Sequence, residues 1–283
     1  MLDPQVLYED DHVAVIMKPA GIVVNDTHTR FEQTVQSWWK ERLAQESQGD
    51  LSRWQKFLPE NWTDEYGTIE EVFAERGGIV HRLDKETSGV LLLAKHPVSL
   101  AALLLQFRHR QTEKKYLCLV HGKFQILEDT IQLPIARSTV QRFKFQVVPE
   151  GRAAETAYHV LNFYPQFKIE MLADQLEKVN KKVKLIREHI SKGYQGFSLL
   201  ECWPKTGRTH QLRVHFTHLR HAMVADPLYV GHKRLVLDQL WCPRLFLHAE
   251  ELSWYELESL QKKTVHAPLP EDLSRALSFL ESA

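Results

Sequence analysis

The stretch IVHRLDKETSGVLLLAK, residues 79–95, sets one carboxylate, Asp84, between Arg82 and Lys85, turns at Thr87, Ser88 and Gly89, and runs into VLLLA. An uninterrupted apolar run behind a turn reads as an interior strand, so the acid is mounted at the edge of a core. Taken alone, such a carboxylate is either half of a structural ion pair or a reacting group, and the residues around it leave both open.

Working outward, strands dominate. VLYEDDHVAVIMKPAG (residues 6–21) reads as a hairpin ending in a Pro-Gly turn, and QTVQSWWKERLAQ as an amphipathic helix. Pro97 opens a further helix, PVSLAALLLQFRHR, which ends in cations as the helix dipole favours. KYLCLVHG, RFKFQVV, AETAYHVLNFY and FSLLECWP are strand candidates, and EDLSRALSFLES closes the chain as a helix. Without a regular strand and helix alternation, the pattern favours an α+β fold on a mixed, largely antiparallel sheet over a doubly wound one. At 283 residues with 43% apolar side chains, the chain suffices for one large domain or two lobes sharing a core.

One segment stands apart. Leu172, Leu176, Val179, Val183, Ile186 and Ile190 form a heptad seam, interleaved with cations and ended by Gly193 and Gly196. The expectation is a helix packed on its own domain, with a protein contact or an RNA contact through residues 172–190 as the alternatives.

Charge and composition exclude several classes. Three cysteines, Cys118, Cys202 and Cys242, fit neither a zinc site nor a redox pair and point to a reducing compartment. The start lacks the features of a signal peptide and no apolar run reaches membrane-spanning length, so a cytoplasmic protein with no membrane partner is expected. Net charge is zero, but residues 81–123 carry eight Lys and Arg against three acids, and residues 203–234 six against one. Residues 37–76 and 250–283 are acidic, with five cations against nine acids and three against seven. If the two basic segments fold next to each other, they make a positive cleft on an acidic body, the footprint of a nucleic-acid partner.

The chemistry lies in those two segments. TGRTHQLRVHF, residues 206–216, puts Arg208, His210 and Arg213 on a short ordered stretch whose Leu212 and Val214 can face inward. A cation near a carboxylate favours its ionised form, and Arg213 is the candidate partner of Asp84. The histidines at 210, 215, 218 and 221 match no standard zinc spacing and no acidic ligand sits among them, so no metal is expected. Tyr116 follows two lysines at a strand start, which suits stacking on an exposed base as well as a plain sheet-edge position.

HRLDKETSGVLLLAK resembles the signature of the RluA-type pseudouridine synthases. DHVAVIMKPAGIVV, EKKYLCLVHG, AETAYHVL, TGRTHQLRVHF, DPLYVG and LFLHAEEL resemble the family's successive blocks in the family's order, across residues 11–252. The resemblance implies the pseudouridine synthase fold, an α+β catalytic domain over residues 1–283 whose two lobes flank a catalytic cleft, with helical insertions near 38–76 and 172–193. It implies a cofactor-free isomerase that detaches a uracil in ribosomal or transfer RNA from its ribose, turns it and reattaches it through carbon. By the same resemblance Asp84 is the catalytic aspartate, Tyr116 stacks on the target base and assists proton removal, and Arg213 pairs with Asp84. Leu212 lines the base pocket and Arg82 fills the gap left by the flipped nucleotide, with Arg208 and His210 completing the substrate-binding set. Extruding a base from a stack costs on the order of a few kcal/mol, and cations beside the acid suit that task.

The chain departs from the family at RHAMVADPLY, where Arg220, Ala222 and Ala225 replace the usual Gly-His-Pro and Gly-Asp pattern, which puts the neighbouring loop's shape in question. A small N-terminal RNA-binding domain ahead of the first block is not expected, so target choice is expected from the catalytic domain and its insertions. A monomer is expected. The rival reading is a catalytically inactive RNA-binding protein on the same fold, against which the intact Asp84, Tyr116 and Arg213 set speaks. A protein kinase is excluded because HRLD has no Gly-rich loop before it and no Asp-Phe-Gly after it.

Overall fold

The computed structural model describes residues 4–26, 33–45, 51–60, 62, 67–168, 170–171 and 194–283. The heptad seam at 172–193 lies outside the described residues. The chain divides into two compact units, Met1–Lys114 with Ala249–Pro268, and Lys115–His248 with Leu269–Ala283.

The first unit is built on the hairpin the sequence announces. Strand β1 (Gln5–Glu9) pairs antiparallel with β2 (Val13–Lys18), and β2 with β3 (Ser88–Ala94). The carboxylate of Asp10 closes the turn by accepting the amides of His12 and Val13, both at 2.8 Å. All seven residues of β3 are buried, as the VLLLA run requires, and each buried Leu or Val stabilises the fold by roughly 1.5–3 kcal/mol. Strand β11 (Leu247–Tyr255) follows β3 in the sheet and carries β12 (Lys262–His266) antiparallel on it.

Helices cover this sheet. Helix α1 (Val35–Gln45), a 3-10 turn (Leu51–Phe57) and α2 (Ile69–Arg76) come from the acidic, Trp-rich region. Its tryptophans are core groups: Trp38, Trp39 and Trp54 are buried, and the indole of Trp39 donates to the carbonyl of Ala94 at 3.0 Å. Thr68 and Glu71 form a capping box at the start of α2, and Gly77 ends it in the left-handed conformation. Helix α3 (Pro97–Arg108) starts with Pro97 in its first turn, where a missing amide costs nothing.

The second unit holds a sheet in the order β4-β10-β8-β5, antiparallel throughout, from β4 (Glu113–His121), β5 (Glu128–Gln132), β8 (Glu155–Tyr164) and β10 (Phe197–Pro204). A hairpin of β6 (Ile135–Arg137) and β7 (Phe145–Val147) stands beside it, the latter shorter than the RFKFQVV pattern suggests. Strands β9 (Gln166–Phe167) and β13 (Leu280–Glu281) form a small pair. Among the described residues the unit also carries α4 (Gln211–His218), α5 (His232–Asp238) and α6 (Glu271–Ser278). Helix α6 buries Leu273 and Ala276, and the guanidinium of Arg244 forks its Asp272 at 2.6 and 3.0 Å. The fold class is the α+β, mostly antiparallel one read from the sequence.

Candidate active site

The loop that carries Asp84 is held from below by main chain and by one buried cation. Lys18, at the end of β2, is fully buried and its ammonium donates to the carbonyls of Pro19 and Ile22, each at 2.8 Å, and of Lys85 at 3.1 Å. The amide of Gly21 donates to the same Lys85 carbonyl at 2.8 Å, and the amide of Thr87 to the Asp84 carbonyl at 3.1 Å. The Lys-Pro-Ala-Gly turn and the Asp84 loop are thus one hydrogen-bonded body, with Leu83 buried in it, Asp84 half-buried and Arg82 exposed. Gly89 follows with a φ of 125°, and any side chain there would meet the main chain of Ala249.

His81 anchors the loop on its other side. Its Nε2 accepts the amide of Leu92 at 3.0 Å and its ring stacks on Phe107 at 4.9 Å. Burial, with Lys114 nearby, pulls its pKa from 6.5 to about 3. The ring is therefore neutral and has an acceptor nitrogen. Burial also lowers Lys114, to about 8.

In the second unit, the stretch at 206–216 is a loop and then helix α4. Gln211 is the buried hub of that loop. Its Oε1 accepts from the Thr206 hydroxyl at 2.6 Å and the Arg208 amide at 3.0 Å, while its Nε2 donates to the Glu155 carbonyl at 2.9 Å and to Thr156 at 3.0 Å. His210 caps the helix with a left-handed backbone, φ 56°, and its Nδ1 meets the Tyr229 hydroxyl at 3.0 Å. Arg208 lies on the surface of the loop and its Nε donates to the Ala153 carbonyl at 3.0 Å. Leu212 and Val214 both face inward, but into different clusters, because two residues of helix turn about 200°. Leu212 shares its cluster with Tyr116, which is half-buried on β4 opposite Cys202.

Arg213 is buried and forked by Asp226, from Nε to Oδ2 and from Nη2 to Oδ1, both at 2.8 Å, with its guanidinium 5.1 Å from the Tyr229 ring centre. Asp226 Oδ1 also accepts the amides of Leu228 and Tyr229 at 2.9 and 3.1 Å. The residue before it, Ala225, is left-handed at φ 55°, and Arg220 likewise at φ 65°. Both are positions where the chain departs from the family's glycines, and both keep a backbone that glycine would adopt without strain. The amide of Ala225 donates to Asp238 Oδ2 at 2.9 Å.

Of the residues expected from the sequence, Tyr116, Arg208, His210, Leu212 and Arg213 lie in the second unit, and Asp84 and Arg82 in the first. Two of the other histidines serve local bonds: His215 sits between Thr156 and the Leu133 carbonyl, and His221 donates to the His121 carbonyl. Sequence reasoning missed Lys18, His81, Gln211 and Asp226. For Asp226 a signal existed, since it is the lone acid among the six cations of residues 203–234.

Comparison with known proteins follows the same lines. A family profile described as RNA pseudouridylate synthase matches residues 12–218. "Ribosomal large subunit pseudouridine synthase D" of Xanthomonas campestris is 33% identical over 283 aligned positions, covering 97% of this chain and 69% of that protein. "Ribosomal large subunit pseudouridine synthase C" of Escherichia coli is 30% identical, covering 98% of this chain and 70% of that protein. The structure titled "Human RNA Pseudouridylate Synthase Domain Containing 1" shares the fold, with a TM-score of 0.63 at 20% identity, over 99% of this chain and 89% of that one. Among the described residues no helix is long and apolar enough to cross a membrane.

Proposed function

The chain belongs to the RNA pseudouridylate synthase family, and on that premise we propose that it isomerises uridines of ribosomal RNA to pseudouridine through Asp84. The N1 to C1′ bond of a flipped uridine breaks, the uracil turns, and C5 bonds to C1′, after which the C5 proton leaves to solvent and N1 takes up a proton. The observation that carries this reading is that one family match, residues 12–218, contains Asp84, Tyr116 and Arg213 together. Ribosomal RNA is the substrate class to test first because the curated relatives are named for the large ribosomal subunit.

The roles follow the resemblance residue by residue. Asp84 is the group the rearrangement requires, presented on a loop that the Lys18 ammonium and the neutral His81 keep rigid. Tyr116 stacks on the target base beside Leu212, Arg213 serves as the counter-ion of Asp84, and Arg82, Arg208 and His210 engage the RNA backbone and the vacancy. The residues of both units are assigned to one catalytic domain, and residues 172–190 to target choice.

The test is tritium release from C5-labelled uridine in ribosomal RNA lacking the modification, with wild type against Asp84→Asn. Release by wild type alone supports the isomerase and ties it to Asp84. RNA binding by both proteins without release by either, on ribosomal and transfer RNA alike, would leave a binding protein on this fold.

A further inference from the structure

We propose that Tyr229 is a positioning residue: its hydroxyl holds the His210 ring as the tautomer that carries its proton on Nε2, so that His210 donates a hydrogen bond to a phosphate oxygen of the RNA. The proposal rests on the reading of the protein as an enzyme that binds RNA, with His210 among the groups that meet it.

Three observations lead there. First, His210 stands at the start of α4 in the left-handed conformation, φ 56°, and its side chain makes no capping bond to the helix. Satisfying the orphan amides of the first turn, the usual task of a polar residue at that position, is therefore not its role. The side chain turns to Tyr229 instead, with Nδ1 3.0 Å from the hydroxyl and the two rings nearly perpendicular, at 86° and 5.7 Å.

Second, the hydroxyl already accepts from another group. The amide of Phe145, the first residue of β7, donates to the Tyr229 oxygen at 2.9 Å. The phenolic proton has His210 Nδ1 as its acceptor, and a neutral imidazole that accepts at Nδ1 carries its proton on Nε2. Tyr229 is itself held at both ends, its amide donating to Asp226 Oδ1 at 3.1 Å and its ring centre lying 5.1 Å from the Arg213 guanidinium. A hydroxyl on so constrained a ring fixes the plane of His210 as well as the place of its proton.

Third, the surroundings suit an anion. Lys144 Nζ lies 6.0 Å from the Tyr229 ring centre, and the Arg137 guanidinium 5.2 Å from that of Phe145, whose ring meets His210 edge-on at 5.6 Å. Residues 135–147 hold three cations and no acid. Asp226, the acid of residues 203–234, is buried and its oxygens bond Arg213 and the amides of Leu228 and Tyr229. Phosphate is the RNA group that a donor set among cations recognises.

The test is nitrogen-15 NMR of the histidine-labelled protein at about pH 8.5, where an ordinary imidazole is neutral. His210 is expected to show a bare Nδ1 and a protonated Nε2, and unmodified ribosomal RNA is expected to shift Nε2 and leave Nδ1 in place. A proton on Nδ1, or an Nε2 resonance that the RNA does not move, would overturn the proposal. Tyr229→Phe keeps the ring against Arg213 and the amide on Asp226; it is expected to populate both tautomers and to raise Kd for that RNA about fivefold. It also takes the acceptor from the Phe145 amide, so a second variant separates the hairpin from the histidine. His210→Asn suits a left-handed backbone, keeps an acceptor at the place of Nδ1 and lacks the outer donor. The same rise of about fivefold is expected from it, with no further rise in the double variant, because both changes act on one donor. Losses that multiply in the double variant would place the effect of Tyr229 in the hairpin and defeat the proposal. None of these readouts needs turnover: a protein that releases no tritium can still satisfy them, and their failure leaves the assignment of Asp84 standing.

Discussion

The ammonium of Lys18 lies 3.1 Å from the carbonyl of Lys85, the residue that follows Asp84, and this bond ties the end of β2 to the loop carrying the acid. Replacing Lys18 by Met takes the ammonium away from the carbonyls of Pro19, Ile22 and Lys85, of which the last keeps the Gly21 amide. The expected cost is on the order of 3 kcal/mol in denaturant unfolding, with a fall in turnover larger than any change in RNA affinity. An unchanged midpoint would show that water replaces the ammonium.

His81 makes stability depend on acidity. Its pKa is about 3 in the folded chain against 6.5 when unfolded, so between those values the unfolded chain binds the extra proton. The contribution is complete above pH 6.5 and is lost as pH falls toward 3, at up to about 1.4 kcal/mol per pH unit from this group. His81→Gln keeps an acceptor for the Leu92 amide without titrating, and its unfolding free energy should fall less steeply across pH 6 to 4. Parallel slopes for the two proteins would reject the assignment.

The fork between Arg213 and Asp226 should tolerate no lysine. Both groups are buried, and an ammonium cannot match two carboxylate oxygens at once, so Arg213→Lys is expected to cost about 2 kcal/mol and Asp226→Asn about 3 kcal/mol. The pair should be less than additive in a double-mutant cycle on stability, because each single change already breaks the same bonds.

Gln211 organises the loop before α4 through four hydrogen bonds. Gln211→Leu fills the same volume but removes the acceptor of the Arg208 amide and the Thr206 hydroxyl, while the Glu155 carbonyl keeps the Lys205 amide, and a loss of about 2–3 kcal/mol is expected. KM for RNA should rise more than kcat falls if Arg208 meets the RNA.

Much of this was legible in the chain. The VLLLA run placed β3, alternation placed β4, β8 and β10, and Pro97 placed the start of α3, because each signal is local. The Trp-rich region was legible as a helix but its tryptophans were not legible as core, since an anchor such as Trp39 to Ala94 spans 55 positions. The same holds for Lys18, whose three partners are main-chain carbonyls, and for Gln211, two of whose four partners are main-chain atoms, because such atoms leave no trace in side-chain composition. Inward-facing Leu212 and Val214 were correctly seen, while their separation into two clusters needed the helical pitch of α4.

Gly89 brings the timing of synthesis into the picture. The backbone of Ala249 lies against it so closely that no side chain fits between them, and Ala249 is made 160 residues later. On the ribosome, the turn behind Asp84 cannot find its final neighbour until most of the polypeptide has been translated. A nascent chain stalled before β11 should thus carry every residue of the HRLD motif and still lack the support that makes it work.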